Sequence, residues 1–423
     1  MTRRIFKVPF AAFSLVASLV LVGTPAFPAS IAGTKCTKVG TTKTTSNIKY
    51  TCVKQGSKLV WNKGVAIKPS VKATPAPTPT PAPTATPTET PKQEPKPAAT
   101  PSPTPTATVA AFVPPKAPTS FDDLVANYKG ISYAAWKSAH DKIASSPDTP
   151  INFELMMSKN ATLNYKTPEV AYSLINKLYY GAPLPTKVIH LVFAFEDRDW
   201  AMAKMQEITP NAASQWIKDV ACPTKETCYG GGSYYNPITK ACLVVIANGI
   251  DANNVENVIS GTLEAHEYTH LIEQTWPNMD RPPVNLLQSP WPPNWYWEGL
   301  AQFSQNASVY TSSFDDYTKF RNRASGGIMN NQAPNAQYIQ GYFQRTLTTE
   351  WGNKYPRWRQ YDLGAMLVEV LVALKGPDLA MKMFDSSLHG GGFDNAFQSI
   401  YGVSFESVLP NISKAIALEL GNA

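Results

Sequence analysis

The chain has 423 residues, enough for two or three domains, and 43 % of them are hydrophobic, which excludes a wholly disordered protein. Its net charge of +7 conceals an asymmetry, because residues 1–118 carry 15 Lys and Arg against 2 Asp and Glu, whereas residues 119–423 carry 23 against 29. An enzyme that acts on nucleic acid is usually basic where its chemistry takes place. The acidic balance of the larger part therefore predicts that nucleic acid is not a partner.

Residues 1–32 have the pattern of a secretory signal peptide. Three basic residues precede the apolar run Val8–Val22, and Ser30 and Ala32 offer small side chains for cleavage. No later segment has the roughly 18 consecutive apolar residues that a membrane span needs. We therefore expect a secreted protein without a membrane span after signal cleavage. An uncleaved N-terminal anchor is the alternative.

Residues 33–67 predict a small β module. Thr-rich and β-branched stretches favour two or three short strands, but so short a segment buries too little apolar surface to be stable without a cross-link. Because export permits disulfides, we expect Cys36 to bond to Cys52. The lysines of the module could contact anionic cell-wall polymers, or they could simply form a solvated basic face.

Residues 68–118 predict a disordered linker. Of the 37 prolines, 16 fall in this stretch, interleaved with Thr and Ala. This composition favours polyproline II and cannot form a packed core. The linker would separate the β module from the rest of the chain.

Residues 119–423 predict an α+β fold, either as one globular domain or as two lobes. Residues 122–143 have a helical pattern, and a glycine-rich loop is indicated at residues 230–232. Strand-forming side chains are enriched in residues 151–157, 187–195 and 241–247. Helical patterns dominate the remainder of the chain. Strands followed by helices are typical of an α+β fold rather than a doubly wound sheet.

The segment His266-Glu267-Tyr268-Thr269-His270 has the pattern HExxH. On a helix, positions i and i+4 lie on one face a turn apart, so the two imidazoles can bind one metal ion with Glu267 beside them. At the His and Glu frequencies of this chain, roughly 0.002 such matches are expected by chance. The alternative is a helix with two buried, hydrogen-bonded histidines. A catalytic zinc site also needs a third protein ligand and an open fourth position.

Glu298, which lies 28 residues after His270 in the segment Trp295-Tyr-Trp-Glu-Gly-Leu-Ala-Gln-Phe303, is the candidate third ligand. HExxH, a loop and a helix bearing WxEGLA together resemble the gluzincins, the thermolysin-like clan of zinc peptidases, including its peptidase-MA-like branch. The resemblance implies a zincin-like catalytic domain, with a mixed sheet, an HExxH active-site helix and a helical C-terminal lobe. It implies Zn²⁺ held by His266, His270 and Glu298, with Glu267 as the general base. Without the upstream motif, Glu298 would be taken for an ordinary surface glutamate.

Two further site residues follow from the resemblance. The helical lobe of such domains often presents a tyrosine to the oxyanion, and Tyr361 is the candidate, with Tyr310, Tyr338 and Tyr342 as competitors. Many members carry an acidic residue one turn after the ligand glutamate, where it orients a zinc-bound histidine. This chain has Gln302 there, so we expect a lower metal affinity or a less basic ligand.

The resemblance also implies that a strand at the edge of the sheet holds the substrate backbone, and residues 241–247 are the candidate. Among Cys222, Cys228 and Cys242 only one disulfide can form. We favour a bond that uses Cys242 and fixes this strand, and a loop bond between Cys222 and Cys228 is the alternative. Four of the ten tryptophans lie between residues 276 and 297. They could line a substrate cleft or seal the junction of two lobes.

The implied function is that of a secreted zinc-dependent endopeptidase or aminopeptidase-like hydrolase acting on peptides or proteins. The competing hypothesis is a catalytically weak or inactive, peptidase-like binding protein of the cell wall. Hydrolysis of peptidoglycan cross-links is less favoured, because those enzymes usually use other metal motifs.

Overall fold

The computed structural model describes residues 34–45, 48–55, 58–62, 65–66, 112–210, 212–249, 256–275, 291–324, 334–344, 355 and 358–422. The chain divides into two units, Met1–Ala110 and Ala111–Ala423. The predicted signal peptide and residues 68–111 of the predicted linker lie outside the described residues. The limits assigned to these segments stay predictions.

The first unit contains a small antiparallel sheet. Its strands are β1 (Thr42–Thr45), β2 (Ile48–Gln55), β3 (Lys58–Trp61) and β4 (Val65–Ala66), and β2 pairs with each of the other three. Cys36 and Cys52 are buried and disulfide-bonded, with Cα atoms 5.9 Å apart. The predicted bond is confirmed, and it compensates for the very small core of this sheet.

A mixed four-stranded sheet lies in the second unit, with strand order β5-β6-β8-β7. The strands are β5 (Phe153–Met157), β6 (Val188–Phe193), β7 (Gly231–Tyr235) and β8 (Cys242–Ala247). The three predicted strands are therefore present and run parallel to one another, while β7 pairs antiparallel with β8 at the edge. Two of the three glycines that indicate a loop instead begin β7.

Helices account for most of the rest of the second unit. They are α1 (Ile131–Ser145), α2 (Pro168–Leu178), α3 (Arg198–Ile208), α4 (Glu256–Ile259), α5 (Thr262–Thr275), α6 (Asn294–Val309), α7 (Phe314–Ala324), α8 (Ala336–Phe343), α9 (Arg359–Lys375), α10 (Pro377–Gly390), α11 (Phe393–Tyr401) and α12 (Phe405–Glu419). The α+β class is thus as predicted. None of the described helices combines the length and apolarity that crossing a bilayer requires.

The first helix begins later than its sequence pattern indicates. Asp123 accepts hydrogen bonds from the backbone N–H groups of Thr119 and Ser120 and from the side chain of Asn127. Such side-chain bonds compete with the helical backbone pattern. The segment is consequently a series of turns, and α1 starts at Ile131 rather than near residue 122.

The end of the predicted linker lies against this unit. The ring centre of Phe112 is 5.5 Å from that of Tyr133 on α1 and 6.1 Å from that of Phe314 on α7. Aromatic contacts at these distances are stabilising. We therefore place the start of the folded unit close to residue 112, a few residues before the predicted limit.

The sheet separates two hydrophobic layers. Val188, Val244 and Ile246 belong to the layer that includes α2 and α5, whereas Leu191 and Val245 belong to the layer of α3. Every residue of β8 is buried, which explains why its sequence is a continuous apolar run. Because β8 has neighbours on both sides, its backbone is already paired, and the prediction that residues 241–247 form the edge strand is wrong.

The same two hydrophobic layers explain which of the three cysteines in this unit form a disulfide. Cys222 and Cys228 are bonded to each other, with Cα atoms 3.7 Å apart, and Cys242 is a buried thiol. Cys242 lies in the α2 and α5 layer, while the bonded pair lies in the layer on the opposite face of the sheet. The favoured bond through Cys242 is therefore wrong.

Helices α6 and α9 cross at two glycines. A Cβ atom added at Gly299 would lie 2.4 Å from the carbonyl carbon of Gly364, and one added at Gly364 would lie 2.1 Å from the backbone oxygen of Trp295. Since no side-chain carbon fits at these distances, the two helices make direct backbone contact. This contact fixes the position of Glu298, the neighbour of Gly299.

We expect Gly364→Ala to lower the free energy of unfolding by about 1–3 kcal/mol, because the added methyl group forces the two backbones apart. Gly390→Ala is the matched control, since a Cβ there meets nothing within 4 Å and alanine favours a helix. Urea unfolding of both variants measures the difference. Equal free energies of unfolding for the two variants would contradict the close backbone contact between α6 and α9.

Candidate metal centre

The HExxH residues lie on α5, in a largely buried position. His266, Glu267 and His270 are each 6–7 % exposed. Gly261, whose φ of +87° favours glycine, makes the turn into the helix. Asp251 and Asn253, which could cap the helix, and Pro277, which could end it, lie outside the described residues. Helix α5 packs against β7 and against α6.

Glu298 lies on α6 and faces both histidines. Its Oε2 atom is 3.3 Å from Nε2 of His266 and 3.3 Å from Nε2 of His270, and the two Nε2 atoms are 3.2 Å apart. Three atoms that are each about 2.0–2.1 Å from a tetrahedral zinc ion lie roughly 3.3–3.4 Å from one another. The three predicted ligands therefore converge, and they can hold a metal ion.

The hydrogen bond made by the Nδ1 atom of each histidine determines whether its Nε2 atom can bind a metal ion. Nδ1 of His266 donates a hydrogen bond to Oε1 of Gln305 at 2.8 Å, and Nδ1 of His270 donates to Oε2 of Glu273 at 2.6 Å. With the protons on Nδ1, both Nε2 atoms of the neutral rings carry lone pairs. Two lone pairs and a carboxylate oxygen thus point at one spot, an arrangement that repels itself unless a cation lies between them.

The residues that orient the imidazoles differ from the predicted one. Gln302 holds neither histidine, so the expectation that an amide there weakens the site is not supported. Gln305, two turns after Glu298, holds His266, and the fully buried carboxylate of Glu273 holds His270. Their spacing is the signal that could have found them, since i+3 and i+7 positions share a helix face.

The charges of the centre shift its pKa values in opposite directions. Burial alone would raise the pKa of the Glu298 carboxyl, but the hydrogen bonds and charges of the two imidazoles hold it far below its ordinary value. Burial alone would lower the pKa of His270, but Glu273 and Glu298 raise it well above the ordinary value. The centre therefore stabilises positive charge at this position.

Glu267 lies beside the edge strand. Its Oε1 atom is so near Gly231 that a Cβ added there would lie 2.8 Å from it, and its carboxyl interacts with the side chain of Ser233. Burial raises the pKa of Glu267, while the imidazoles of His266 and His270 oppose that rise. A side chain at position 231 would fill the space that the carboxylate occupies.

Of the tyrosine candidates, Tyr361 lies near the histidines. Its ring centre is 6.0 Å from that of His266. Tyr310 instead stacks on Phe320 at 4.1 Å, and Tyr338 and Tyr342 pack around Tyr355. The structure thus places Tyr361 beside the centre, and its role there stays a prediction.

The tryptophans that the structure describes have different surroundings. Trp297 lies against His270, with ring centres 5.4 Å apart, and Trp291 packs on Trp297. Trp295 is buried among Phe343, Phe393 and Phe405 and belongs to the core. Trp276 lies outside the described residues.

Comparison with known proteins provides no independent assignment, because no family model, curated protein or solved structure matches this chain.

We expect metal affinity to fall as the pH falls. In the metal-free protein the raised pKa of His270 keeps a proton on its imidazole, and binding must release that proton. The loss should therefore begin above the ordinary histidine pKa of about 6.5. Competition with a chromophoric chelator between about pH 8 and pH 5 measures it. An affinity that does not change over this range would contradict the raised pKa.

We expect Glu273→Gln to weaken metal binding by about 10–100-fold, since the imidazole of His270 loses its charged partner. Glu256→Gln, at an exposed position on α4, is the matched control. Chelator competition at a single pH compares the two. Wild-type affinity in Glu273→Gln would show that this carboxylate does not act on the ligand.

Proposed function

We propose that this chain is an exported zinc-dependent peptide hydrolase of the gluzincin type. The observation that carries the proposal is the triangle of His266 Nε2, His270 Nε2 and Glu298 Oε2, with edges of 3.2–3.3 Å. Two imidazoles and one carboxylate form the ligand set of catalytic zinc in peptidases, which leaves one position open. The buried Glu267 next to this triangle supports catalysis rather than a structural metal.

The residues of the centre suit hydrolysis by water. Zinc held there would supply a Lewis acid that polarises a peptide carbonyl and makes water more acidic. Glu267 would accept the proton of the attacking water on its carboxylate and deliver it to the nitrogen of the leaving amine. Its buried position and raised pKa favour that exchange of a proton. Tyr361 would donate a hydrogen bond to the oxygen on which negative charge develops.

The substrate backbone would bind along β7. This strand is the edge of the sheet, and Gly231 and Ser233 bring it against the general base. An extended peptide can add to such an edge through main-chain hydrogen bonds. Trp297, next to His270, would form the opposite wall. Gly231 lets the carboxylate of Glu267 lie directly against this strand, because a Cβ atom there would be 2.8 Å from its Oε1.

Export and wall association complete the proposal. Two disulfides are present among the described residues, which fits an oxidising, extracellular environment. In the first unit, Lys35, Lys38, Lys43, Lys49, Lys54 and Lys58 are accompanied by no acidic residue between residues 34 and 62. Anionic cell-wall polymers are the partner that this charge would attract.

The alternative is a binding protein built on an inactive scaffold. A scaffold that has lost catalysis has no need of a buried carboxylate beside a metal centre, because burying that charge is costly. Glu267 is present and is 6 % exposed. The retained base therefore favours the enzyme.

We expect Glu267→Gln to keep one zinc per chain and to lower the rate of peptide hydrolysis by about 10²–10⁴-fold, because only proton transfer is lost. His270→Ala should lose both the zinc and the activity, and Glu256→Gln should behave as the wild type. Atomic absorption and cleavage of casein or a peptide library provide the two measurements. Hydrolysis at the wild-type rate by Glu267→Gln would contradict the role of Glu267 as general base. Absence of zinc from the wild type would contradict the proposed zinc site.

A further inference from the structure

Strand β5 forms one edge of the sheet in the second unit. Its register with β6 runs without interruption from Phe153 to Met157. On its other side, no strand among the described residues pairs with it. An edge strand of this kind presents a row of unpaired backbone N–H and C=O groups, which another strand can bind.

The hydrogen bonds at the two ends of β5 show which of its backbone groups point away from the sheet. The carbonyl oxygen of Asn152 accepts from the N–H of Val188, and the N–H of Ser158 donates to the carbonyl oxygen of Val192. Neighbouring residues of a strand present their N–H and C=O groups to opposite sides, so the even-numbered residues bond to β6. The N–H and C=O groups of the odd-numbered residues of β5 therefore point outwards.

The side chains of those same residues, Phe153, Leu155 and Met157, are apolar and share one face of the strand. Leu155 is 41 % exposed and Met157 is 37 % exposed. Edge strands are usually protected by a lysine, a proline or a bulge, and β5 contains none of these. At the opposite edge of the sheet, the N–H of Tyr235 on β7 is already bonded to Oε1 of Gln274 at 3.1 Å. Of the two edges, β5 is therefore the more open one.

The backbone and the side chains of β5 match a second copy of the same strand in antiparallel orientation. With a two-fold axis at Leu155, the two Leu155 residues lie opposite each other, and Phe153 of each copy lies opposite Met157 of the other. All of these residues point their N–H and C=O groups outwards, so each pair forms two N–H···O=C bonds. The apolar side chains meet on one face, where each covers exposed surface of its partner.

Glu154, whose side chain lies on the other face of the strand, selects this register. An axis at Glu154 would bring two glutamates directly opposite each other, which is destabilising. An axis at Met156 would leave Phe153 without a partner in the strand. With the axis at Leu155, Glu154 lies opposite Met156 of the second copy, and its charge is balanced by Lys187 of its own chain. This register therefore places no like charges directly opposite each other.

We propose that this chain forms a two-fold symmetric dimer, in which β5 pairs antiparallel with β5 of a second copy about an axis at Leu155. The two four-stranded sheets would then form one continuous sheet, and the interface closes on itself because both copies use the same surface. Each β7 would remain at an outer edge, so the dimer leaves the proposed substrate edge free. The proposal rests neither on zinc binding nor on hydrolysis.

The first experiment measures the mass of the full exported chain by sedimentation velocity from about 1 µM to about 1 mM, which covers the affinities of small interfaces. We expect the wild type to dimerise as its concentration rises. Leu155→Lys should raise the dissociation constant at least about tenfold, because two lysines would lie directly opposite each other. Ile238→Lys is the matched control and should dimerise as the wild type does, since Ile238 is 84 % exposed between β7 and β8, away from β5. Thermal unfolding of each variant verifies that the fold is retained.

The second experiment tests the position of the two-fold axis with a short bis-maleimide cross-linker. The Cα atoms of the two Leu155 residues should lie about 5.5 Å apart, as in any hydrogen-bonded antiparallel pair, so Leu155→Cys should form a covalent dimer. The two Met157 residues should be offset by roughly 14 Å along the strands, so Met157→Cys should remain mostly uncoupled. Cys242 is buried and the other native cysteines are disulfide-bonded, so the introduced thiol is the one that reacts.

Dimers that Leu155→Lys weakens, and that Leu155→Cys traps in preference to Met157→Cys, support the proposal. A wild type that stays monomeric at every concentration overturns it, and the edge would then be open to a strand of another protein. A dimer that Leu155→Lys leaves intact also overturns it, because the contact would lie elsewhere in the chain. Cross-linking of Met157→Cys at least as efficient as that of Leu155→Cys overturns the two-fold axis at Leu155.

Discussion

The candidate metal centre depends on keeping three electron-rich atoms within 3.2–3.3 Å of one another in a buried place. Without a metal ion such a cluster needs a proton to offset the repulsion between its buried atoms, and the raised pKa of His270 provides one. It persists because rigid neighbours hold each side chain. Gln305 and Glu273 fix the two imidazoles. The carboxylate of Glu298 lies on α6, whose backbone contacts that of α9.

The immobility of that helix comes from packing rather than from polar contacts. At Gly299 and Gly364 the backbones of α6 and α9 touch, so the distance between them is set by atoms that cannot rotate away. On the other side, α5 is held against the sheet by an apolar layer that includes β8. A divergence of α5 from α6 by even a fraction of an ångström would open the triangle, and close packing is what prevents it.

Sequence reasoning recovers the local features and misses those that depend on contact across the fold. The i, i+4 spacing of His266 and His270 places both on one helix face. The β-forming residues 241–247 predict a strand, but not that it lies inside the sheet rather than at its edge. Glycine composition misleads at β7, because an edge strand beside a carboxylate needs small residues as much as a loop does. Spacing leaves the bond between Cys222 and Cys228 as one alternative, and the choice depends on which hydrophobic layer each cysteine occupies. Spacing along α6 leaves two amides as candidates, Gln302 and Gln305, because both positions share a helix face with Glu298. The structure shows that Gln305 is the one that binds His266.

The distribution of donors between the helices has a consequence for how the chain acquires its fold. Helix α5 alone carries both imidazoles and the carboxylate of Glu273, so a single helix presents two nitrogen donors one turn apart as soon as it forms. A metal ion captured at that stage would stabilise the helix before α6 arrives with Glu298 and Gln305. The ion would then act as a nucleus around which the two helices dock, and its binding energy would become part of the energy of folding.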